Sequence, residues 1–243
     1  MIPKIIHYCW FGEKEKGKDV KACIETWHRK CPEYTFIEWN EKNFDINKSC
    51  RYVKEAYETG KWAFVTDYVR FYALLYYGGI YLDTDVEVLQ TFDSLLDNKA
   101  FVCVESKYSI CTATIGAEKN AEFVKNILKQ YKNRNFKTKD GYDTTPNSQF
   151  IYNWLKNNYK YKYLNNKTQN LGICTVYPVE FFSPINCYTL ECKISENTYS
   201  VHRYAGTWKS ERQKRKDKIM SYVTKFIGEE YREALKQFLK EKK

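Results

Sequence analysis

The sequence predicts an α/β protein, and three observations carry that prediction. The chain opens in strand, helix, strand order. A long apolar helix then runs through a Gly78-Gly79 break into another apolar strand. That strand ends on acids, Tyr81-Leu82-Asp83-Thr84-Asp85, at the edge where open α/β sheets hold their ligands. With 243 residues and 43% hydrophobic content, the chain has enough apolar side chain for one sizeable core.

Lys4 to Phe11 reads as the first strand, ended by Gly12. Lys18 to Arg29 has helical spacing through Val20, Ile24 and Trp27, and Pro32 stops it. Tyr34 to Trp39 is the second strand, closing on Asn40-Glu41. This β-α-β opening favours a parallel sheet. Residues 51 to 77 hold two helices separated near Gly60. The second, from Trp62 to Tyr77, is apolar nearly all round and is therefore expected to be buried. Gly78-Gly79 ends it, and Ile80-Tyr81-Leu82 enters the sheet. Further strands are expected at Ala100 to Glu105, Ile110 to Ala117 and Thr175 to Pro178, with helices at Ala121 to Tyr131 and Phe150 to Lys156. The polar, turn-rich residues 132 to 149 predict a loop over one end of the sheet. From Lys209 onward the chain reads as helical, first basic and then amphipathic through Ile219, Tyr222, Val223, Phe226 and Ile227. After Gly228 the stripe resumes through Tyr231, Leu235, Phe238 and Leu239. Such a stripe is expected to dock on the protein's own core.

The nine cysteines are odd in number, scattered and without a C-x-x-C pair, which argues against a disulfide framework and a zinc ribbon. Reduced, mostly buried cysteines of a cytosolic protein are the expectation. No stretch is apolar enough to span a bilayer, and Met1-Ile2-Pro3 leads straight into the first strand, so no signal peptide is expected. The net charge of +10 is uneven: residues 203 to 243 hold 13 Lys and Arg against 6 Asp and Glu, a net +7. A basic end suits phosphate-rich partners or an anionic membrane surface, and equally a solvated helical face.

Successive strand side chains alternate faces, so Asp83 and Asp85 are expected to point the same way and converge on one divalent cation carrying a diphosphate. Asp67 and Arg70, three apart, share one helical face, a spacing that a simple surface ion pair would also have. In an otherwise apolar helix an unpaired charge is costly, and this helix feeds directly into the acid-bearing strand, which ties the pair to the cation site. An acid and a guanidinium placed there can hold sugar hydroxyls and neutralise phosphate. Competing D-x-D motifs fail on residues: Glu87 stands where a haloacid-dehalogenase nucleophile motif needs Thr or Val. Val88 and Ser94 stand where an EF-hand loop needs Gly and an acid.

Three ordered segments, Ile5-Ile6-His7-Tyr8-Cys9-Trp10-Phe11-Gly12, Trp62-Ala63-Phe64-Val65-Thr66-Asp67-Tyr68-Val69-Arg70 and Gly78-Gly79-Ile80-Tyr81-Leu82-Asp83-Thr84-Asp85, resemble glycosyltransferase family 32. That family groups bacterial capsule-locus transferases with yeast mannosyltransferases and, more distantly, clostridial glucosylating toxins. The likeness runs from residue 2 to about residue 90, with an echo at His202 and Thr207-Trp208. It implies a GT-A fold, an α/β mixed sheet flanked by helices; with the tail read from its own charge and spacing, the expected division is a catalytic domain over residues 1–208 and a basic amphipathic helical extension over 209–243. It also implies a nucleotide-sugar donor, Mn²⁺ or Mg²⁺, and transfer with retention of configuration. By the same resemblance Tyr8 and Trp10 would hold the nucleobase, Asp67 and Arg70 the donor sugar, and Asp83 the ribose, sugar and metal sphere. Asp85 would be the direct metal ligand, His202 would complete the metal site, and Trp208 would cap the β-phosphate. Asn40, Trp62, Thr66, Tyr81 and Thr207 complete the nucleotide-sugar contacts. Relatives carry a Gly-Pro turn where this chain has Asp143-Thr144-Thr145-Pro146-Asn147, so Asn147 is carried as a sugar or acceptor contact across a departure from the family pattern.

The resulting expectation is a retaining, metal-dependent transferase that moves a hexose from a UDP-sugar (Gal, Glc or GalNAc before Man) to a saccharide or polyprenyl-linked saccharide in surface polysaccharide synthesis. It would act in the cytoplasm, at the inner face of the plasma membrane, where the basic tail meets anionic lipid. A nucleic-acid-binding protein is the rival suggested by a pI near 9.0 and 17% aromatics, but it leaves three acids unexplained, and no nucleic acid is expected as partner. A non-catalytic protein that binds sugar nucleotides is the other alternative.

Overall fold

The computed structural model describes residues 1–206 and 210–241. In chain order the elements are β1 (Ile5–Cys9), α1 (Lys18–Lys30), β2 (Thr35–Trp39), α2 (Arg51–Glu58), α3 (Trp62–Tyr77), β3 (Gly79–Leu82) and β4 (Val86–Val88). Then come β5 (Ala100–Ser106), β6 (Ser109–Ala117), α4 (Glu122–Tyr131), β7 (Lys137–Thr138), β8 (Gly141–Tyr142) and α5 (Asn147–Tyr159). The last are β9 (Gln169–Asn170), β10 (Thr175–Tyr177), β11 (Ser200–His202), α6 (Glu211–Ile227) and α7 (Glu229–Glu241).

Seven strands form the main sheet in the order β2-β1-β3-β6-β5-β10-β9. β1 runs parallel to β2 and β3, as the β-α-β opening predicts. The sheet is nevertheless mixed, because β6 runs antiparallel to both β3 and β5. Only Lys107 and Tyr108 separate β5 from β6, and a connection that short can join only antiparallel neighbours. This is the mixed α/β sheet flanked by helices expected of a GT-A fold.

Alternation along the strands divides the core in two. Tyr81, Val102, Val104 and Ile115 pack beneath α2 to α5, while Ile80, Leu82, Phe101 and Cys103 meet Trp27 of α1 with Phe92 and Phe182 on the other face. At the junction of α3 and β3, Gly78 and Gly79 have φ of +68° and +112°, and a Cβ on Gly79 would lie 2.5 Å from the Ile5 carbonyl oxygen. Only glycine fits both demands there. Buried His7 bolts this junction: its Nδ1 accepts from the Trp39 indole at 3.1 Å, which leaves Nε2–H to donate to the Gly78 carbonyl at 2.8 Å. Burial pushes its imidazole down to about 4, so the ring stays neutral.

Gly116 stands opposite Phe101 in the β5–β6 register, and a Cβ there would lie 2.1 Å from the ring. The ring fills the space that a side chain would need. Gly116→Ala is therefore expected to cost about 1 to 3 kcal/mol, seen as a lower urea midpoint at unchanged m-value.

Two expectations need correction. Residues 132 to 149 are not a plain loop: they contain the β7–β8 hairpin and the start of α5. They are held to the core by buried Phe136 and by Arg134, which pairs with Asp143 at 2.8 Å and lies over the Tyr52, Tyr131 and Phe150 rings. The apolar stripe of α6 does not dock on the core. Ile219, Tyr222, Val223 and Phe226 are exposed, Phe226 at 91%, whereas Ser221 and Thr224 form the buried face. Polar contacts anchor this region, with Arg232 bonding the Thr224 hydroxyl and the Tyr188 carbonyl and stacking over the Tyr188 ring. Ser210 and Gln213 form a capping box that starts α6. Among the described residues no helix is long and apolar enough to cross a membrane. All nine cysteines are free, and Cys9, Cys31, Cys103, Cys111 and Cys174 are buried.

Candidate active site

Asp83, Thr84 and Asp85 lie beyond the end of β3 in a turn closed by the Val86 N–H donating to the Asp83 carbonyl at 3.0 Å. The two acids therefore converge through a turn between β3 and β4, not through strand alternation. β4 pairs antiparallel with β11, with Val86 opposite His202. The Ala205 N–H donates to Asp85 Oδ2 at 2.9 Å, and His202 Nε2 lies 3.5 Å from Asp85 Oδ1. Asp83, Asp85 and His202 each bring one ligand atom within 4.8 Å of the others. Two carboxylate oxygens and an imidazole nitrogen are donors that suit Mn²⁺ or Mg²⁺, so these residues fit the ion that the motifs imply. Burial raises the Asp85 carboxyl, but His202 and the Ala205 N–H outweigh it and hold the group below its ordinary range.

Arg70 joins the acids to the helix. Its guanidinium is buried and lies 3.0 Å from Asp67 and 3.3 Å from Asp83, donates to the Thr112 carbonyl at 2.6 Å, and covers the Tyr81 ring. Burial would lower the Arg70 pKa, but the two acids and their neighbours raise it further above its ordinary value. Asp67 moves the other way for a carboxyl: burial pushes it up to about 6, against the pull of Arg70.

The remaining expected contacts divide by what their polar atoms already do. Trp10 lines a cavity of about 760 Å³ together with Lys14, Asp85, Arg203, Ala205 and Lys214, and its indole donates to the Lys14 carbonyl. Tyr8 is packed edge-on to Trp27 and donates to Glu38, which also receives Lys16 and Asn40. Trp62 packs over Gly12 and edge-on to Tyr57. The Thr66 hydroxyl is committed to the Ala63 carbonyl, and the Tyr81 hydroxyl to Asp83 at 2.9 Å, so Tyr81 positions that acid from the core. Asn147 is buried. Its amide donates to the Asp67 backbone carbonyl at 2.9 Å and accepts from Tyr131 at 2.7 Å, which makes it a clasp between α5 and α3. Thr207 and Trp208 lie outside the described residues. Sequence reasoning passed over Lys16, whose ammonium sits 5.4 Å above the Trp10 ring, and Glu105 and Cys111, which stand beside His202. No spacing rule reveals Glu105 and Cys111, because only the β5–β6 register and the return of β11 bring them to His202.

The chain matches the family model for the glycosyltransferase sugar-binding region containing a DXD motif over residues 17–102. That span includes Asp67, Arg70, Asp83 and Asp85 and leaves out Tyr8, Trp10 and His202. Among curated proteins, inositol phosphoceramide mannosyltransferase 3 of Schizosaccharomyces pombe is 32% identical over 135 residues, covering 53% of this chain and 36% of that protein. Mannosyl phosphorylinositol ceramide synthase CSH1 of Saccharomyces cerevisiae is 27% identical over 139 residues, 54% of this chain and 36% of that one. The chain thus spans just over a third of the length of these relatives. Among solved structures, the PaToxG glycosyltransferase is similar at a TM-score of 0.48 and 20% identity, over 64% of this chain and 69% of that chain. Over the stretch that holds Asp67, Arg70, Asp83 and Asp85, the chain is thus similar to the DXD sugar-binding region of glycosyltransferases and to yeast mannosyltransferases.

Proposed function

We propose that this protein transfers a hexose from a nucleotide sugar, UDP-linked, to a saccharide or lipid-linked saccharide in surface polysaccharide synthesis, with metal dependence and retention of configuration. The convergence of Asp83, Asp85 and His202 beside the buried Arg70–Asp67 pair carries this reading. A divalent cation held by the three ligands would neutralise the donor diphosphate and stabilise the leaving nucleotide. Asp67 would offer its carboxylate to sugar hydroxyls while buried Arg70 holds it and Asp83 in place, and the Trp10 cavity offers an aromatic wall and lysines to the nucleotide. No protein nucleophile is assigned, since in retaining transfer of this kind the acceptor hydroxyl attacks from the leaving-group face and a donor phosphate oxygen takes its proton.

A thermal-shift screen of nucleotide sugars with and without Mn²⁺ tests donor and ion together. A true donor at a hundredfold excess over its Kd adds about 2.7 kcal/mol to the folded state. The expected result is a rise in melting temperature for one UDP-hexose that requires Mn²⁺. GDP-mannose belongs in the screen because the curated relatives are named for mannosyl transfer. A protein that no nucleotide sugar stabilises would refute the proposal.

We also place the outward face of α6 against an anionic membrane at the cytoplasmic side. Exposed Ile219, Tyr222, Val223 and Phe226 share that helix with Arg212, Lys214, Arg215, Lys216 and Lys218, the pattern of an interfacial helix. Each surface-proximal cation adds roughly 1 kcal/mol of attraction. The protein is expected to sediment with phosphatidylserine vesicles at low salt and to be released by high salt or by Phe226→Glu. Failure of the unaltered protein to sediment would remove this part.

A further inference from the structure

His202 takes part in two groups of candidate metal ligands. Nε2 looks towards Asp85 at 3.5 Å, while Nδ1, on the other edge, is buried without a hydrogen-bond partner. Glu105 of β5 and Cys111 of β6 stand beside the ring. A Glu105 oxygen, the Cys111 sulfur and a His202 nitrogen lie within 4.8 Å of one another. The surroundings hold this cluster in place. Cys111 is buried, and its register partner is Cys103. Tyr204 packs its ring 4.0 Å from the imidazole and donates its hydroxyl to Glu105 at 3.2 Å, while Ser183 holds the same hydroxyl at 2.9 Å.

We propose that Glu105, Cys111 and His202 form a second metal site, selective for a thiophilic divalent cation such as Zn²⁺, which shares His202 with Asp83 and Asp85. Sulfur, nitrogen and oxygen in one set are zinc donors, whereas the neighbouring set is oxygen-rich and suits harder ions. Binding releases the thiol proton to solvent and leaves a position for water beside Tyr204. Sharing the imidazole makes the two sites exclusive. A neutral ring has one lone pair to give a metal, so zinc that takes it leaves the harder ion without its nitrogen ligand. Zinc at Glu105, Cys111 and His202 therefore opposes ion binding at the D-T-D turn, a brake that depends on these residues and not on the identity of any donor.

Co²⁺ titrated into the full-length metal-free protein reads this directly, because a thiolate ligand produces a sulfur-to-cobalt charge-transfer absorption. The band is expected to saturate at one equivalent and to be bleached by Zn²⁺. It should be lost in Cys111→Ser and His202→Ala, weaken in Glu105→Gln and persist in Asp85→Asn. Excess Mn²⁺ should raise the Co²⁺ concentration at half-saturation several-fold in the unaltered protein and leave it unchanged in Asp85→Asn. No sulfur-to-cobalt band, or a band unchanged in a folded Cys111→Ser variant, overturns the proposal and leaves Glu105 and Cys111 as acceptors that orient the ring. Should Cys111→Ser not fold, zinc-edge X-ray absorption of the unaltered protein decides: a sulfur in the shell supports the site, and an all nitrogen and oxygen shell overturns it.

Discussion

Asp85→Asn is expected to lower metal-dependent transfer by about two to three orders of magnitude while leaving the fold intact. The substitution keeps the size of the side chain and keeps an oxygen to accept the Ala205 N–H now bonded at 2.9 Å. What it removes is the carboxylate charge beside His202, in a proposed set of three ligands with no spare member among the described residues. Coulomb attraction to a divalent cation is strong where water is largely excluded, and Asp85 is mostly buried, so an amide oxygen is a poor replacement. Initial rates measured against Mn²⁺ concentration should show a higher requirement for the ion together with a lower rate at saturation. Unchanged metal-dependent transfer in a folded Asp85→Asn protein would mean that the D-T-D turn is not the metal site.

Arg70→Met should cost about 3 to 5 kcal/mol of stability, because it strands two acids in the interior. The Arg70 side chain is 5% exposed and lies between Asp67 at 3.0 Å and Asp83 at 3.3 Å, while its other bonds hold the Thr112 carbonyl. Methionine fills similar volume and brings no charge. The loss should depend on pH in a definite direction. Asp67 already sits at about 6, above its ordinary value, so its charged form is disfavoured in the fold even with Arg70 present. Removing Arg70 raises it further, and the destabilisation grows as pH rises through neutrality and shrinks below about 5. Urea unfolding at pH 5 and pH 8 separates these cases. Adding Asp67→Asn to Arg70→Met should recover much of the loss at pH 8, and no recovery would show that the cost is packing alone.

The sequence disclosed what is local. Alternation and helical spacing located the helices and six of the seven strands of the main sheet within a few residues, while β4, β7, β8, β9 and β11 went unread. Asp67, Arg70, Asp83 and Asp85 stood out because charges in apolar surroundings need partners nearby in the chain. Less was legible where partners are distant. His202 reaches Asp85 only through the pairing of β4 with β11, and Glu105 reaches His202 only through the β5–β6 register. Two misreadings had physical causes. Polarity marked residues 132 to 149 as a loop, although Arg134 makes that stretch part of the core by lying across three aromatic rings. An apolar stripe on α6 was expected inside, but Ser221 and Thr224 allow the closer approach and Arg232 supplies the anchoring bonds, so the helix packs by its small polar side.

The β4–β11 ribbon has a consequence for how this protein matures. The turn with its two acids leaves the ribosome before the imidazole, which lies on β11, later in the chain than every strand of the central sheet. Closing so long a loop is slow compared with forming hairpins such as β5–β6. During translation the emerging domain therefore carries the two carboxylates without the imidazole, and on the proposed metal site full affinity for an ion would come only once β11 has paired. Nascent chains stalled before residue 200 are then expected to bind Mn²⁺ only weakly.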